Sequence, residues 1–206
     1  MDSGNVSAII SAAAGITGVL LGNLFVLIKE WWVKRGAITQ NTVYLGIVVV
    51  SHLERFASHC YEVCTDDGTS RGQPAGKNGH YEPTTLLPAF SPLELEVDWK
   101  VLPRDLMYSI LRIPDQLDQL SGKLAGIQDF NYDPPDHPEY FLVRRRGHAV
   151  LGLQASGLAQ KLRIYAGLPI EESLPGEWNR DKSMRDVIAR LDELERKSAL
   201  RNLNDF

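Results

Sequence analysis

From Val6 to Ile28 the chain runs for 23 residues without a charge: VSAIISAAAGITGVLLGNLFVLI. As a helix rising about 1.5 Å per residue, this run would measure roughly 34 Å, slightly more than the hydrocarbon core of a bilayer. Twelve of its residues are Val, Ile, Leu or Phe, and each favours insertion by about 0.3 to 0.6 kcal/mol. Asn23 and three glycines dilute that preference, but no charge opposes it. Lys29, Trp31, Trp32, Lys34 and Arg35 follow at once. Paired indoles and long basic side chains settle at the headgroup level. The pattern predicts a transmembrane helix with its interfacial flank over residues 1–35.

A cleaved export signal needs a basic start, whereas MDSGN carries only Asp2. The anchor is therefore expected to stay. Lys and Arg lie only on the C-terminal side of the run, so the positive-inside rule places the N-terminus outside and the rest in the cytoplasm. Ala14, Gly18 and Gly22 recur at four-residue spacing on one face. Small residues in that register let two membrane helices approach closely, so they are the expected self-association stripe.

The remainder reads as a hinge over 36–42 and a helical soluble domain over 43–206. Leu45, Val49, Leu53, Phe56, Cys60 and Val63 recur at steps of three and four, which is helical. The piece VYLGIVVV within it also fits a buried strand. Residues 66–92, rich in glycine, proline and polar side chains, form a long irregular loop, a kind that is usually functional or disordered. LELEVDW alternates briefly and is expected to be an extended connector docking Trp99. Leu106, Ile110, Ile113, Leu117, Leu120, Leu124 and Ile127 give a heptad-like face. Pro114 should kink or split that helix near Ile113.

NYDPPDHP is a turn, with Asp136 and Glu139 spaced as a capping box. The next helix, Pro138 to Ala166, is expected to bury Phe141, Leu151, Ala155, Leu158, Leu162 and Tyr165. The last, about Ser183 to Leu203, has a thin seam of Met184, Val187, Leu191 and Leu194. Charged i,i+4 pairs such as Glu193–Lys197 cover its other faces. A seam that thin suits an outer bundle helix or a coiled-coil partner. The expected fold is mainly α: one transmembrane helix followed by a four-helix-bundle-like domain.

Chemistry is poorly signalled. His52, His59, Cys60 and Cys64 fall on one helix, with His80 in the loop. Cys60 and Cys64 sit at i,i+4, a spacing that can share a metal, but His59 points about 100° away from Cys60. They are weak candidates, and no metal or cofactor is expected. AGKNGH lacks the phosphate-loop pattern, with Arg71 where a glycine is needed and Asn78 where Ser or Thr is needed. Asp66, Asp67, Asp115, Asp118 and Asp129 read as solvated carboxylates. Arg144, Arg145 and Arg146 read as a solvated, salt-bridged face, and His148 as a core histidine. The net charge of −4 argues against nucleic acid as a partner.

These readings point to a membrane-tethered interaction or regulatory module without catalysis, meeting a protein partner or itself through the anchor and the C-terminal helix. Two alternatives stand: a small membrane-bound enzyme with its site near loop 66–92, and an envelope-spanning structural protein. An N-terminal anchor followed by helices is similar in outline to phage inner-membrane spanins, with no shared motif.

Overall fold

The structure, a computed structural model, describes residues 40–170 and 177–204. The chain divides into two compact units, Met1–Thr42 and Val43–Phe206. The expected anchor, its stripe of Ala14, Gly18 and Gly22, and the flank from Lys29 to Arg35 lie outside the described residues. Among the described residues no helix is long and apolar enough to cross a membrane.

The second unit is a helical bundle. Among the described residues helix α1 runs over 40–65, so residues 40–42, expected in a hinge, are helical, and VYLGIVVV belongs to the helix rather than to a strand. Its inward stripe of Leu45, Val49, Leu53, Phe56, Cys60 and Val63 is fully buried. Burying a side chain of this size stabilises by about 1.5–3 kcal/mol, which outweighs the modest helix propensity of the valines.

Helices α2 (Arg104–Leu111) and α3 (Ile113–Phe130) form where one interrupted helix was expected. Pro114 sits in the first turn of α3, where its missing N–H costs nothing and its ring would clash with a continuing helix before it. Helix α4 (Pro138–Ala166) occupies its expected span. It ends at Gly167, whose φ of +67° lets its N–H reach the Ile164 carbonyl while Leu168 N–H reaches that of Arg163. Helix α5 (Arg180–Asn204) starts one turn earlier than expected. Asn179 caps it by accepting from Lys182 N–H at 2.8 Å.

Helix α4 is the hub, packing against α2, α3 and α5. It also meets α1 in antiparallel fashion, since Gly46 lies against Ala166 and Gly152 lies against Cys60 and Ala57. One core cluster joins α1, α2 and α4; a second joins Cys64, Ala149, Met184, Val187 and Leu191.

Several expectations are corrected. The capping box does not form: His137 is the N-cap without a side-chain bond, and Glu139 instead accepts from Asn131 Nδ2. LELEVDW, by contrast, is a connector as expected, with short 3-10 turns at Pro92–Glu94 and Trp99–Val101 at its two ends. Trp99 does pack on the core. Tyr165 is not buried; its hydroxyl donates to the Val101 carbonyl at 2.7 Å while the residue stays 44% exposed. Leu194 is exposed as well, so it does not extend the buried seam of Met184, Val187 and Leu191. Loop 66–92 carries a two-residue antiparallel ladder, β1 (Thr69–Ser70) with β2 (Gln73–Pro74), closed by Arg71 and Gly72 at positive φ.

Candidate functional site

Loop 66–92 is tied to the bundle by a buried polar node. Asp66, the residue after α1 ends, turns its carboxylate inward. It accepts from the backbone N–H of Gly68, Thr84 and Thr85, and from the hydroxyls of Thr84 and Thr85. Arg144, two turns into α4, donates Nη1 to the same carboxylate at 2.9 Å and Nη2 to the carbonyl and hydroxyl oxygens of Thr85. Gly68 must be glycine here: its φ is +77°, and a Cβ would meet the Phe141 ring at 2.4 Å. One carboxylate thus fastens both ends of the loop to α4.

Two expectations about charge are overturned at this node. Asp66 is not a solvated carboxylate and Arg144 is not on a solvated face, because each satisfies the other in the interior. Arg145 and Arg146 take separate roads: Arg145 Nε donates to the Cys64 carbonyl, and Arg146 pairs with Asp192 and Glu195 at the surface. Burial pushes the Asp66 carboxyl up, but the bonds from Gly68, Thr85 and Thr84 together hold it well below the usual carboxylate range. His148, one turn along from Arg144, is a buried core histidine as expected. Burial, aided by the Arg144 charge, holds its pKa below 6.5 despite the bond between Nδ1 and the Arg144 carbonyl. Its Nε2 and the Nε of Arg144 are buried without hydrogen-bond partners among the described residues. A carboxylate with every lone pair engaged and a neutral imidazole on a dry face build a clamp, not an acid–base pair.

The sequence-predicted metal candidates do not converge. Cys60 and Cys64 are both buried free thiols. Burial pushes the Cys60 thiol up strongly and raises Cys64 to about 11, so neither is a thiolate at neutral pH. Cys64 Sγ donates to the Tyr61 carbonyl. His59 is exposed, and His80 stands in the loop. Among the described residues no group of three or more His, Cys, Asp or Glu side chains could hold a metal ion.

Loop, turn and helix ends also enclose a cleft of about 350 Å³ lined by His80, Tyr81, Glu82, Tyr132, His137 and Tyr140, among others. Tyr81 N–H ties the loop to the Pro135 carbonyl. The His137 ring lies 4.9 Å from Tyr132 and 6.1 Å from His80, on a residue with φ of +45°.

A larger hollow runs beside α4 between α3 and α5. Its two adjoining parts measure about 860 and 390 Å³ and share Lys123, Leu142, Val143 and Glu195. Leu194 and Val150, both about half exposed, contribute apolar wall. Near the start of α5, Arg180 links the Glu54 carboxylate, Asp181 and the hydroxyls of Ser58 and Ser156 into a half-buried network. By joining Glu54 and Ser58 of α1, Ser156 of α4 and Asp181 of α5, this network fastens α5 to α1 and α4.

Comparison with protein families, curated proteins and solved structures finds no match.

Proposed function

We propose that this chain is a single-pass, membrane-tethered interaction module without catalysis, its helical bundle in the cytoplasm. On this reading the hollow between α3 and α5 receives a protein partner. The observation that carries it is the composition of that hollow: an apolar floor of Leu142, Val143 and Val150 with Lys123, Arg146 and Glu195 at its edges. Apolar centres with charged rims are how protein surfaces bind other proteins. The tether rests on the uncharged run Val6–Ile28, and the orientation on Lys29, Lys34 and Arg35. The stripe of Ala14, Gly18 and Gly22 is proposed as a route to self-association.

Reporter fusions at Phe206 test the topology. A fluorescent protein that matures only in the cytoplasm should be bright in washed membranes, and a phosphatase active only outside should stay silent. The reverse would refute the orientation. A photo-cross-linker at Val150 is expected to yield a discrete protein adduct in cells, with none from Arg71 on the exposed loop tip. Equal adducts from both positions would remove the hollow as the docking surface.

A second reading, a small membrane-bound enzyme, draws support from the cleft around His80 and His137, because residues of the 66–92 loop line it as that reading requires. Saturable binding of a small metabolite lost in His137→Ala would favour it over the interaction module.

A further inference from the structure

We infer that the bundle rests on the lipid surface at the level where residues 44–47 of α1 meet the close of α4. This inference depends on the tether proposed above. Gly46 packs against Ala166 and Leu168, so residues 44–47 of α1 and the last turns of α4 lie at one level. Tyr44 and Ile47 project from α1 there, and Ile164 and Tyr165 from α4, with Ile170 just beyond. Their exposures run from 44 to 67%. Single exposed apolar side chains are ordinary on any protein. Five at one level of the bundle exceed such scatter, and exposed apolar side chains gathered in one region mark a surface that something covers.

Covalent connection selects the cover. Ile28 closes the uncharged run, and Gln40 is already in α1. The residues between them reach about 40 Å at most, even fully extended. A tether that short holds the region around Tyr44 at high effective concentration beside the bilayer, whereas a soluble partner has no such advantage. The side chains are suited to that place: tyrosines sit at the headgroup level and isoleucines just below it. Charge adds little. Lys100, Arg104 and Lys161 are exposed here, but Asp98 and Asp105 stand among them, so the contact is apolar and insensitive to salt.

Leu86 supplies the internal control. It follows Thr85, which is bonded to Arg144, and Arg144 lies about 30 Å from Ile164 along the α4 axis. Leu86 is 91% exposed, so it is apolar and accessible but far from the inferred contact.

The test uses the full chain reconstituted in vesicles of phosphatidylcholine and phosphatidylglycerol. An environment-sensitive fluorophore is attached to Ile164→Cys, Ile47→Cys or Leu86→Cys; burial keeps Cys60 and Cys64 out of reach of the label. Lipids carrying a nitroxide near the headgroup are then added. The labels at 164 and 47 should lose about half their emission, since interfacial groups lie within ~5–10 Å of the headgroup boundary. The label at 86 should be unchanged, and raised salt should alter none of them. Alkali-resistant flotation of the protein with all three labels unquenched overturns the docking and leaves the tether intact. Equal quenching at 86 and 164 also overturns it, because no level is then preferred. A change at 164 that tracks protein density and ignores the nitroxide assigns the face to a second copy instead. Protein that fails to float removes the tether, and the docking with it.

Discussion

Asp66 and Arg144, 78 residues apart in sequence, meet at 2.9 Å with each side chain only 1% exposed. Removing one member strands the other charge in a dry interior, a loss of about 3–5 kcal/mol in comparable buried pairs. Asp66→Ala should therefore lower the urea midpoint of the detergent-solubilised chain sharply. It should also make residues 66–92 the first site of proteolysis, because the same carboxylate holds Thr84 and Thr85. The double variant Asp66→Leu, Arg144→Met leaves no charge unpaired and should recover part of the midpoint. An Asp66→Ala protein within ~1 kcal/mol of the parent would show that the pair is solvated or dispensable.

Acid should act on this region in two separate windows. His148 has a depressed pKa, so between the unfolded value near 6.5 and its lower folded value the unfolded chain binds more protons. Its contribution is present above pH 6.5 and is lost as pH falls below it, with a slope no steeper than about 1.4 kcal/mol per pH unit. Asp66, depressed too, loses its contribution only below the ordinary carboxylate range near pH 4. Stability curves at pH 7.5 and 5.5 should thus diverge for the parent and converge for His148→Leu. An unchanged gap in the variant would assign the first window to another group.

The two thiols should be silent. With Cys64 raised to about 11 and Cys60 pushed further up, both are buried and protonated at pH 8. Iodoacetamide should leave the folded chain unmodified over hours and label both residues in denaturant. Rapid alkylation of either in the native state would reopen the case for a reactive cysteine on α1.

What the sequence disclosed divides along physical lines. Apolar periodicity reports burial directly, so Leu45 to Val63 on α1 and Phe141 to Leu162 on α4 could be placed from spacing alone. Proline chemistry did the same for the break between α2 and α3. The polar node was missed because a charged residue in a run of three arginines reads as solvent-facing. A signal did exist: Phe141, Arg144, His148, Leu151 and Ala155 follow one another at steps of three and four, so Arg144 lies on the buried face. Its partner was beyond reach, since the pairing of Asp66 with Thr84 and Thr85 depends on how the loop closes. Local spacing carries no record of that. The capping box failed for a similar reason, as His137 and the turn before it set the start of α4 one residue later than Asp136 required.

Three glycines of α4 face three different surroundings, and alanine at each should separate packing from propensity. Gly157 has nothing within 4 Å of an added Cβ, so Gly157→Ala should stabilise by up to ~1 kcal/mol through helix propensity. At Gly147 the new methyl would meet Leu120 Cδ1 at 2.5 Å. Leu120 is half-buried at the edge of the hollow and can swing away, so the gain and the crowding should nearly cancel. At Gly152 it would meet Met184 Sδ at 2.6 Å and Cys60 Cβ at 2.9 Å, with the Ala57 carbonyl 3.4 Å away. A Cβ on a buried helix cannot rotate aside, so α1 itself must shift. Such overpacking costs about 1–3 kcal/mol and exceeds the propensity gain. The expected order of melting temperatures is Gly157→Ala, then the parent together with Gly147→Ala, then Gly152→Ala. A Gly152→Ala protein as stable as Gly157→Ala would mean that α1, α4 and α5 do not meet at that point.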